Sequence, residues 1–533
     1  MHDHAERARH WFLRLQGTEP TRRDVLRAAF ALAAASIVPF AHAGPPPPRP
    51  RFAGYPFTLG VASGYPRADG LVLWTRLAPA PLQPDGGMSG DAVSVRWEVA
   101  EDERFARVVR SGTQDTWPEI AHSLRVPVDG LAPARTYWYR FTAGDEVSPV
   151  GRTRTAPAAD ADGKFRLGFA SCQHFEHGYF AGHRHLLAEE PDLVAFLGDY
   201  IYESSWGTLA IRRHAGALDA MGVADYRVRH AQYKTDPDLA RLHASVPWVT
   251  TWDDHEVDND YGGDESEHLD PAFLVRRAAA YQAYFEHLPL PVLPGARGES
   301  RVYTHVDIGR TARLYLLDDR QYRAPVACPP PGSARAGNVD PSCAALHDLS
   351  RSLLGDAQER WLDARFADSS ARWNVLAQQT VVAPLDMQPG PGTSTWTDSW
   401  DGFPGARERL LAGLQKHRVR NPLAIGGDIH AALVANTHAD PRNLKSPVLL
   451  GEICASSLNA EGWPPEHWDE IRGANANVLL ADGAHRGYVV MDFDAKACRA
   501  KVRGLEDATR RDSGVATVAE LVMEDGEPGF KRA

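Results

Sequence analysis

The sequence predicts an α/β protein of two domains, an N-terminal β-sandwich followed by a larger layered α/β domain. Three observations carry this. Residues 57–157 read as short strands separated by turn signals, with no long helix. From Phe165 onward, apolar runs alternate with helical stretches, the pattern of a sheet covered by helices. Four of those runs end in charged or metal-ligating side chains, at the strand ends where α/β sheets collect ligands.

At 533 residues the chain is long enough for two domains and a large core. Its 43% hydrophobic and 24% charged residues are ordinary for a soluble globular protein. A formal net charge of -11 argues against a nucleic-acid binder and sets no substrate by itself.

The N-terminus carries an address. Thr21-Arg22-Arg23-Asp24-Val25-Leu26-Arg27 precedes an apolar run over residues 28–40, and Ala41-His42-Ala43 has small-x-small cleavage spacing. Residues 1–43 read as a twin-arginine export signal cut near Ala43; the alternative is an amphipathic or membrane-anchoring helix. The run is shorter than the ~20 residues a spanning helix needs, and no later run is long enough. The expectation is therefore a periplasmic or secreted protein with no stable membrane span, whose export partner is the twin-arginine machinery. That route usually carries folded chains, often with a cofactor already acquired, which fits a metal site. Cys328 and Cys343 bracket a Pro/Gly-rich loop and are the pair expected to form a disulfide in an oxidising compartment. Cys454 lies in a strand-like run and reads as a buried inert thiol.

Residues 44–56 open with Gly44-Pro45-Pro46-Pro47-Pro48, a stiff extended linker. In the sandwich, Leu71-Val72-Leu73-Trp74-Thr75 is one strand, and the run from Val93 to Val99 alternates as a half-buried strand should. The stretch from Leu131 to Phe141 resembles a fibronectin-type turn and strand, with Tyr137 at the corner. A small, polar linker follows over 156–163. The second domain is placed at 165–510, with helices expected at 183–190, 273–287 and 358–366, and the last residues, 511–533, are expected as a loose polar extension.

The densest chemistry follows the apolar run Val246-Pro247-Trp248-Val249. Asp253-Asp254-His255-Glu256-Val257-Asp258-Asn259-Asp260 packs five carboxylates, an amide and an imidazole into eight positions. A strand end in a protein core carries such charge only if something cationic sits there. Asp199 closes another run. Alone it reads as a helix N-cap, but Tyr202 three residues on reaches the same side of the loop, a ligand pair for a hard, high-valent ion. Cys172 ends the first run, as a small buried hydrophobe, a nucleophile, or a ligand. Acidic neighbours disfavour the nucleophile, whereas a bound cation deprotonates a coordinating thiol. Thiolate, phenolate and carboxylate together suit iron better than zinc or magnesium.

Asp428 and His430 end the fourth run at i, i+2 spacing, as ligands or as a turn with a surface histidine. With Asp199 as a bridge the set would hold two cations ~3.5–4 Å apart, as used for displacement at phosphorus. The second cation would see Asp253 or Asp254, Asn259 and Asp428, oxygen ligands that suit calcium, or magnesium or another divalent ion. No nucleophile elbow, phosphate loop or dinucleotide fingerprint occurs. The nucleophile is therefore assigned to metal-bound hydroxide or oxide. His255 would protonate the leaving group or bind a phosphoryl oxygen, against a structural role. Arg276 and Arg277 are candidates for pairing with phosphate, against a solvated helix face. Asp318-Asp319-Arg320 reads as a structural ion pair near the site, and Trp206, Trp396 and Trp400 as site wall or core.

These residues resemble the PhoD-like alkaline phosphatases and phosphodiesterases of the metallophosphoesterase fold. The matching motifs are Ala170-Ser171-Cys172-Gln173, Gly198-Asp199-Tyr200-Ile201-Tyr202-Glu203, Trp252-Asp253-Asp254-His255-Glu256 and Gly427-Asp428-Ile429-His430. Arg276-Arg277-Ala278-Ala279 with Tyr284-Phe285-Glu286-His287-Leu288-Pro289 adds a helix pattern. The resemblance implies an exported phosphatase with ferric iron and calcium that releases phosphate from small-molecule mono- and diesters. It implies iron at Cys172, Asp199 and Tyr202 and calcium at Asp199 and Asn259, with Asp428 and His430 completing the set. The segment Asp258-Asn259-Asp260-Tyr261 departs from the family, with an acid where a second amide is expected. The alternatives are a phospholipase D-like phosphodiesterase and a non-catalytic, metal-stabilised adhesion protein.

Overall fold

The computed structural model describes residues 50–291, 301–388, 390–440 and 443–533. The export signal and the first part of the Pro-rich linker lie outside the described residues.

Two large sheets share one core. The first has ten strands, ordered Lys531–Arg532, Val515–Glu524, Ala497–Leu505, Gly487–Phe493, Phe165–Ala170, Leu193–Leu197, Trp248–Thr251, Val61–Arg67, Gly70–Arg76, Ser123–Asp129. The second has seven, ordered Thr304–Ile308, Ala312–Leu316, Trp373–Ala377, Pro422–Gly426, Val448–Cys454, Ala432–His438, Val478–Asp482. Strand side chains alternate between faces. Leu167, Phe169, Leu193 and Leu197 of the first sheet therefore meet Leu314, Val375, Leu423 and Ile425 of the second in one apolar layer. On the second sheet's other face, Tyr315, Leu376 and Ala424 pack with Leu362, Phe366, Leu410 and Leu414 from the helices Gly355–Ala367 and Pro404–Lys416. The helices Ala181–Ala188, Val223–Lys234, Pro237–Ser245 and Phe273–His287 pack Leu186, Tyr233, Leu242 and Tyr284 into the first sheet's core. The last of these spans the residues the apolar periodicity predicts.

Three strands of the first sheet (Phe165–Ala170, Leu193–Leu197, Trp248–Thr251) run parallel, as do four of the second (Ala312–Leu316, Trp373–Ala377, Pro422–Gly426, Val448–Cys454). Their carboxyl ends meet at one edge, where Ser171 pairs with Ser457 across the sheets. This edge holds the acidic motifs.

The N-terminal sandwich is built as the alternation predicts, with Leu71, Leu73 and Val126 facing Val95, Tyr139 and Phe141. Tyr137 Oη accepts from the Ala132 N–H at 2.9 Å and so pins the corner. The sandwich's inner strands are also the end of the ten-stranded sheet, because Val61–Arg67 pairs with Trp248–Thr251 at Gly64↔Trp248.

The C-terminal residues correct an expectation. Rather than a loose extension, Val515–Glu524 pairs antiparallel with Ala497–Leu505 and receives Lys531–Arg532 on its outer edge. Leu521 and Met523, two apart on one face, and Phe530 are buried. Those few apolar groups anchor a segment whose average composition is polar. A disulfide joins Cys328 to Cys343, while Cys172, Cys454 and Cys498 are buried free thiols. Among the described residues no helix is long and apolar enough to cross a membrane.

A carboxylate-rich candidate metal centre where the two sheets meet

Each strand end turns sharply to aim its side chain inward. Cys172, Asp199, Asp428 and His430 all adopt left-handed backbone (φ 57°, 53°, 66° and 53°), as does Asp260 (φ 55°). Non-glycine residues take this conformation at a cost of ~1–3 kcal/mol each, and only where the surroundings impose it. Gly198 precedes Asp199 at φ 96°, and a Cβ there would lie 2.4 Å from that of Asp253. At Gly427 a Cβ would meet Ser171 Oγ at 2.1 Å, so glycine is what lets the two sheet ends close.

The closure is wired by polar groups. The Glu256 carboxylate accepts the backbone N–H of Asp199 at 3.0 Å, of Asp253 at 2.7 Å and of Tyr200. Gln379, from the second sheet, donates to Trp252 O and Thr251 Oγ1, both at 2.7 Å, in the first.

Inside this frame three groups of ligand atoms lie within 4.8 Å of one another: Cys172, Asp199 and His430; Asp199, Asp254 and His255; Asp253, Asp254 and Asp428. Asp199 and Asp254 are each shared, so the three form one continuous site. Tyr202 joins the first group, its hydroxyl donating to Asp199 Oδ2 at 2.9 Å and lying 3.0 Å from His430 Nε2. His430 Nδ1 faces the Glu461 carbonyl, which fixes the proton on Nδ1 and leaves Nε2 as the lone-pair donor. His255 Nδ1 bonds Glu203 Oε2 at 2.8 Å. Asn259 gives its backbone N–H to Glu203 at 3.1 Å and its Nδ2 to Glu267 at 3.0 Å, which leaves Oδ1 for any ion.

The residues fit a cation. Asp199 Oδ1 and Asp253 Oδ2 are buried with no hydrogen-bond partner, an arrangement that costs free energy unless something positive completes it. Without a cation, burial and the neighbouring carboxylates push Asp199 and Asp253 far above the usual carboxylate range. Burial and Asp398 push Asp428 up to about 7. Burial and Asp199 raise the Cys172 thiol and the Tyr202 phenol in the same way. Asp254 moves the other way: burial opposes it, but Arg320 and His255 hold it ionised. Burial and Arg486 push His430 down to about 3, leaving its imidazole neutral.

Arg320 differs from expectation. It is no local ion pair within Asp318-Asp319-Arg320 but a fully buried guanidinium inside the site. It grips Asp253 through Nε and Asp398 bidentately at 2.8 and 2.8 Å, with Asp254 at 3.6 Å and Asp428 at 3.7 Å. Arg276 and Arg277, expected on phosphate, are committed elsewhere. Arg276 bonds Asp258 and Asp219, both at 2.7 Å, and Tyr226 at 2.9 Å, while Arg277 bonds the Gly263 carbonyl and Asp264. Their acceptors come from adjacent loops and the helix Val223–Lys234 of the same chain, and so the two arginines brace the wall. Of the three tryptophans, Trp400 is core, Trp396 packs edge-on against Trp463, and Trp206 alone adjoins the site.

Sequence reasoning gave no role to Glu203, Asp398 or Arg486. Glu203 stands in a quoted motif. Asp398 lies in a polar loop with no distinguishing pattern, and Arg486 reaches the His430 carbonyl at 2.6 Å from the connection between Val478–Asp482 and Gly487–Phe493.

Comparison with known proteins identifies the family. Residues 167–502 match the model of the PhoD-like phosphatase family, and residues 42–157 that of the PhoD-like phosphatase N-terminal domain. Alkaline phosphatase D of Bacillus subtilis (strain 168) is 40% identical over 497 residues, 91% of this chain and 83% of that protein. A solved structure of PhoD superposes with a TM-score of 0.85 at 40% identity, covering 91% of this chain and 93% of that one. A purple acid phosphatase from yellow lupin (Lupinus luteus) seeds shares the fold at 15% identity, with a TM-score of 0.50 over 88% of this chain and 75% of that one. The chain belongs to the PhoD-like phosphatase family and is a phosphoester hydrolase of metallophosphoesterase-like fold.

Proposed function

We propose that the chain is an exported phosphatase-phosphodiesterase whose site holds iron(III) and calcium. The observation that carries the reading is the sharing of Asp199 and Asp254 among three adjoining ligand groups of different character. Cys172, Tyr202 and His430 offer thiolate, phenolate and imidazole, a set suited to iron. Asp253, Asp254, Asp428 and Asn259 offer oxygen only, suited to calcium or magnesium. Asp199 stands between them. When bound, such ions supply Lewis acidity to the phosphoryl oxygens and to the attacking water.

The chain's own residues supply the rest. Glu203 fixes His255 through Nδ1, leaving Nε2 to give a proton to the departing alkoxide oxygen. Arg320 offsets part of the carboxylate charge without reaching solvent. Export by the twin-arginine route, with cleavage near Ala43, is the companion proposal, supported by the Cys328–Cys343 disulfide.

The test is elemental analysis of the exported, folded protein, with turnover of a phosphomonoester and a phosphodiester measured with and without calcium. Iron near one per chain and calcium-dependent turnover are expected. Folded protein with no iron and no turnover would overturn the assignment. Replacing Arg22 and Arg23 by lysine is expected to leave the precursor in the cytoplasm, and unimpeded export would refute that route.

A further inference from the structure

Trp206 lies on the irregular loop between Leu193–Leu197 and the helix Val223–Lys234, and it is fastened to the site. Its carbonyl accepts from His177 Nε2 at 2.7 Å. The next residues close onto a single carboxylate, Thr208 reaching Glu461 through N and Oγ1, both at 2.8 Å, and Leu209 through N. The Glu461 carbonyl is the group that sets the His430 tautomer. One residue thus positions both the loop and a candidate ligand.

The indole itself is half-buried and packs on the Cys172–Tyr202–Ala460 cluster. Its plane lies within 11° of the His255 ring, centroids 6.3 Å apart, and within 18° of the His430 ring at 5.7 Å. His255 and His430 belong to different ligand groups that share Asp199. An ester whose phosphoryl group sat at ions held by these groups would release its alcohol past His255, the proton donor; of the two aromatics beside that ring, Tyr202 at 4.2 Å is buried among the ligands and Trp206 is the one nearer solvent. Among the residues flanking the indole, Ser205, Gly207 and Thr208 are exposed, so the loop meets solvent at this point. A large, rigid aromatic with a fixed backbone is a surface that rewards flat or apolar groups over small polar ones.

We propose that Trp206 is the specificity-determining wall of the site, receiving the organic part of the leaving alcohol and favouring phosphoesters of aromatic or bulky apolar alcohols. The inference rests on the phosphoesterase reading above and adds the substrate class.

The test compares metal-loaded wild type, Trp206→Ala and Trp206→Phe on benzyl phosphate and ethyl phosphate, whose leaving alcohols are of similar basicity. Binding of benzylphosphonate and ethylphosphonate by calorimetry is the arm that needs no turnover. Wild type is expected to prefer the benzyl compounds in both assays. Trp206→Ala should remove that preference, lowering kcat/KM for the benzyl ester by roughly tenfold through KM, as expected for one lost aromatic contact. The ethyl ester should change by less than about twofold, and Trp206→Phe should keep most of the benzyl preference. Unchanged iron and calcium content and melting temperature separate this from a structural effect. Equal losses on both esters, or no preference in the wild type by turnover and calorimetry alike, would overturn the proposal. Benzyl selectivity in binding with no hydrolysis of any ester would instead keep the wall and defeat the phosphoesterase reading.

Discussion

Replacing Arg320 with methionine removes a buried cation that the chain itself places inside the carboxylate cluster. The guanidinium is wholly buried, bonds Asp253 and Asp398, and stands 3.6 and 3.7 Å from Asp254 and Asp428. Methionine keeps much of the volume, so the cost is electrostatic rather than a cavity. Removing one partner of a buried ion network destabilises by ~3–5 kcal/mol, because the charges left behind stay desolvated. At ~1.4 kcal/mol per decade this raises the unfolded fraction by roughly two to three and a half orders of magnitude.

Added calcium offsets carboxylate repulsion, so the deficit of Arg320→Met must be larger in chelator than in calcium. Urea denaturation of both proteins, with and without chelator, reads this as the difference of midpoints. A deficit equal in both conditions, or larger in calcium, would refute the view that Arg320 and bound cations neutralise the same carboxylates.

Three further outcomes follow from the same geometry. His255→Gln is expected to slow turnover by ~10²–10⁴-fold with metal content intact; a rate within about twofold of wild type would remove His255 from proton transfer. His230 is fully buried and is pushed down to about 3 by burial, Lys234 and Arg76, against 6.5 in the unfolded chain. Between those values only the unfolded chain binds the proton, so stability is complete above pH 6.5 and falls by ~1.4 kcal/mol per pH unit below it. The difference between wild type and His230→Gln in urea midpoints at pH 7, 6 and 5 isolates this contribution, and a difference that does not depend on pH would contradict it. Phe530→Ala should cost ~3–5 kcal/mol, because the ring is buried against Gly451. Lys531→Ala, exposed beside it, should cost next to nothing in the same thermal melt.

The ligand motifs were legible because each sits at the end of an apolar run, where charge has no bland explanation. Asp199 and Tyr202 at i, i+3 meet at 2.9 Å, and His430 and Asp428 fall in the two outer ligand groups that the Asp199–Asp254–His255 group joins. What could not be read was which charges neutralise which. Arg276 follows the cluster in sequence and looks like a phosphate ligand, yet Asp219 and Asp258 from two loops satisfy it. Arg320 sits beside two aspartates and looks locally paired, yet its partners are 67 and 78 residues away. Guanidinium pairing is decided by the register of non-adjacent strands, and a linear pattern carries no record of that. The C-terminal strand was hidden for a similar reason, since two alternating apolar residues vanish in the average of a polar segment.

The strained turns and the stranded carboxylates belong to one argument. Five non-glycine site residues hold left-handed backbone, and Asp199 and Asp253 each keep an unpartnered buried oxygen. Each feature opposes folding, and the polar staples from Glu256 and Gln379 offset only part of that opposition. Bound cations recover the remainder, because they supply the missing partners of the two oxygens and fix the turns that aim them. Cation binding and closure of the two sheet ends are then a single equilibrium. In chelator, hydrogen exchange should therefore quicken first at residues 198–203 and 253–260, ahead of the sandwich strands Val93–Ala100 and Thr136–Ala143. Unchanged exchange at residues 198–203 and 253–260 would mean that the site is rigid without its cations and that the strain is borne by packing alone.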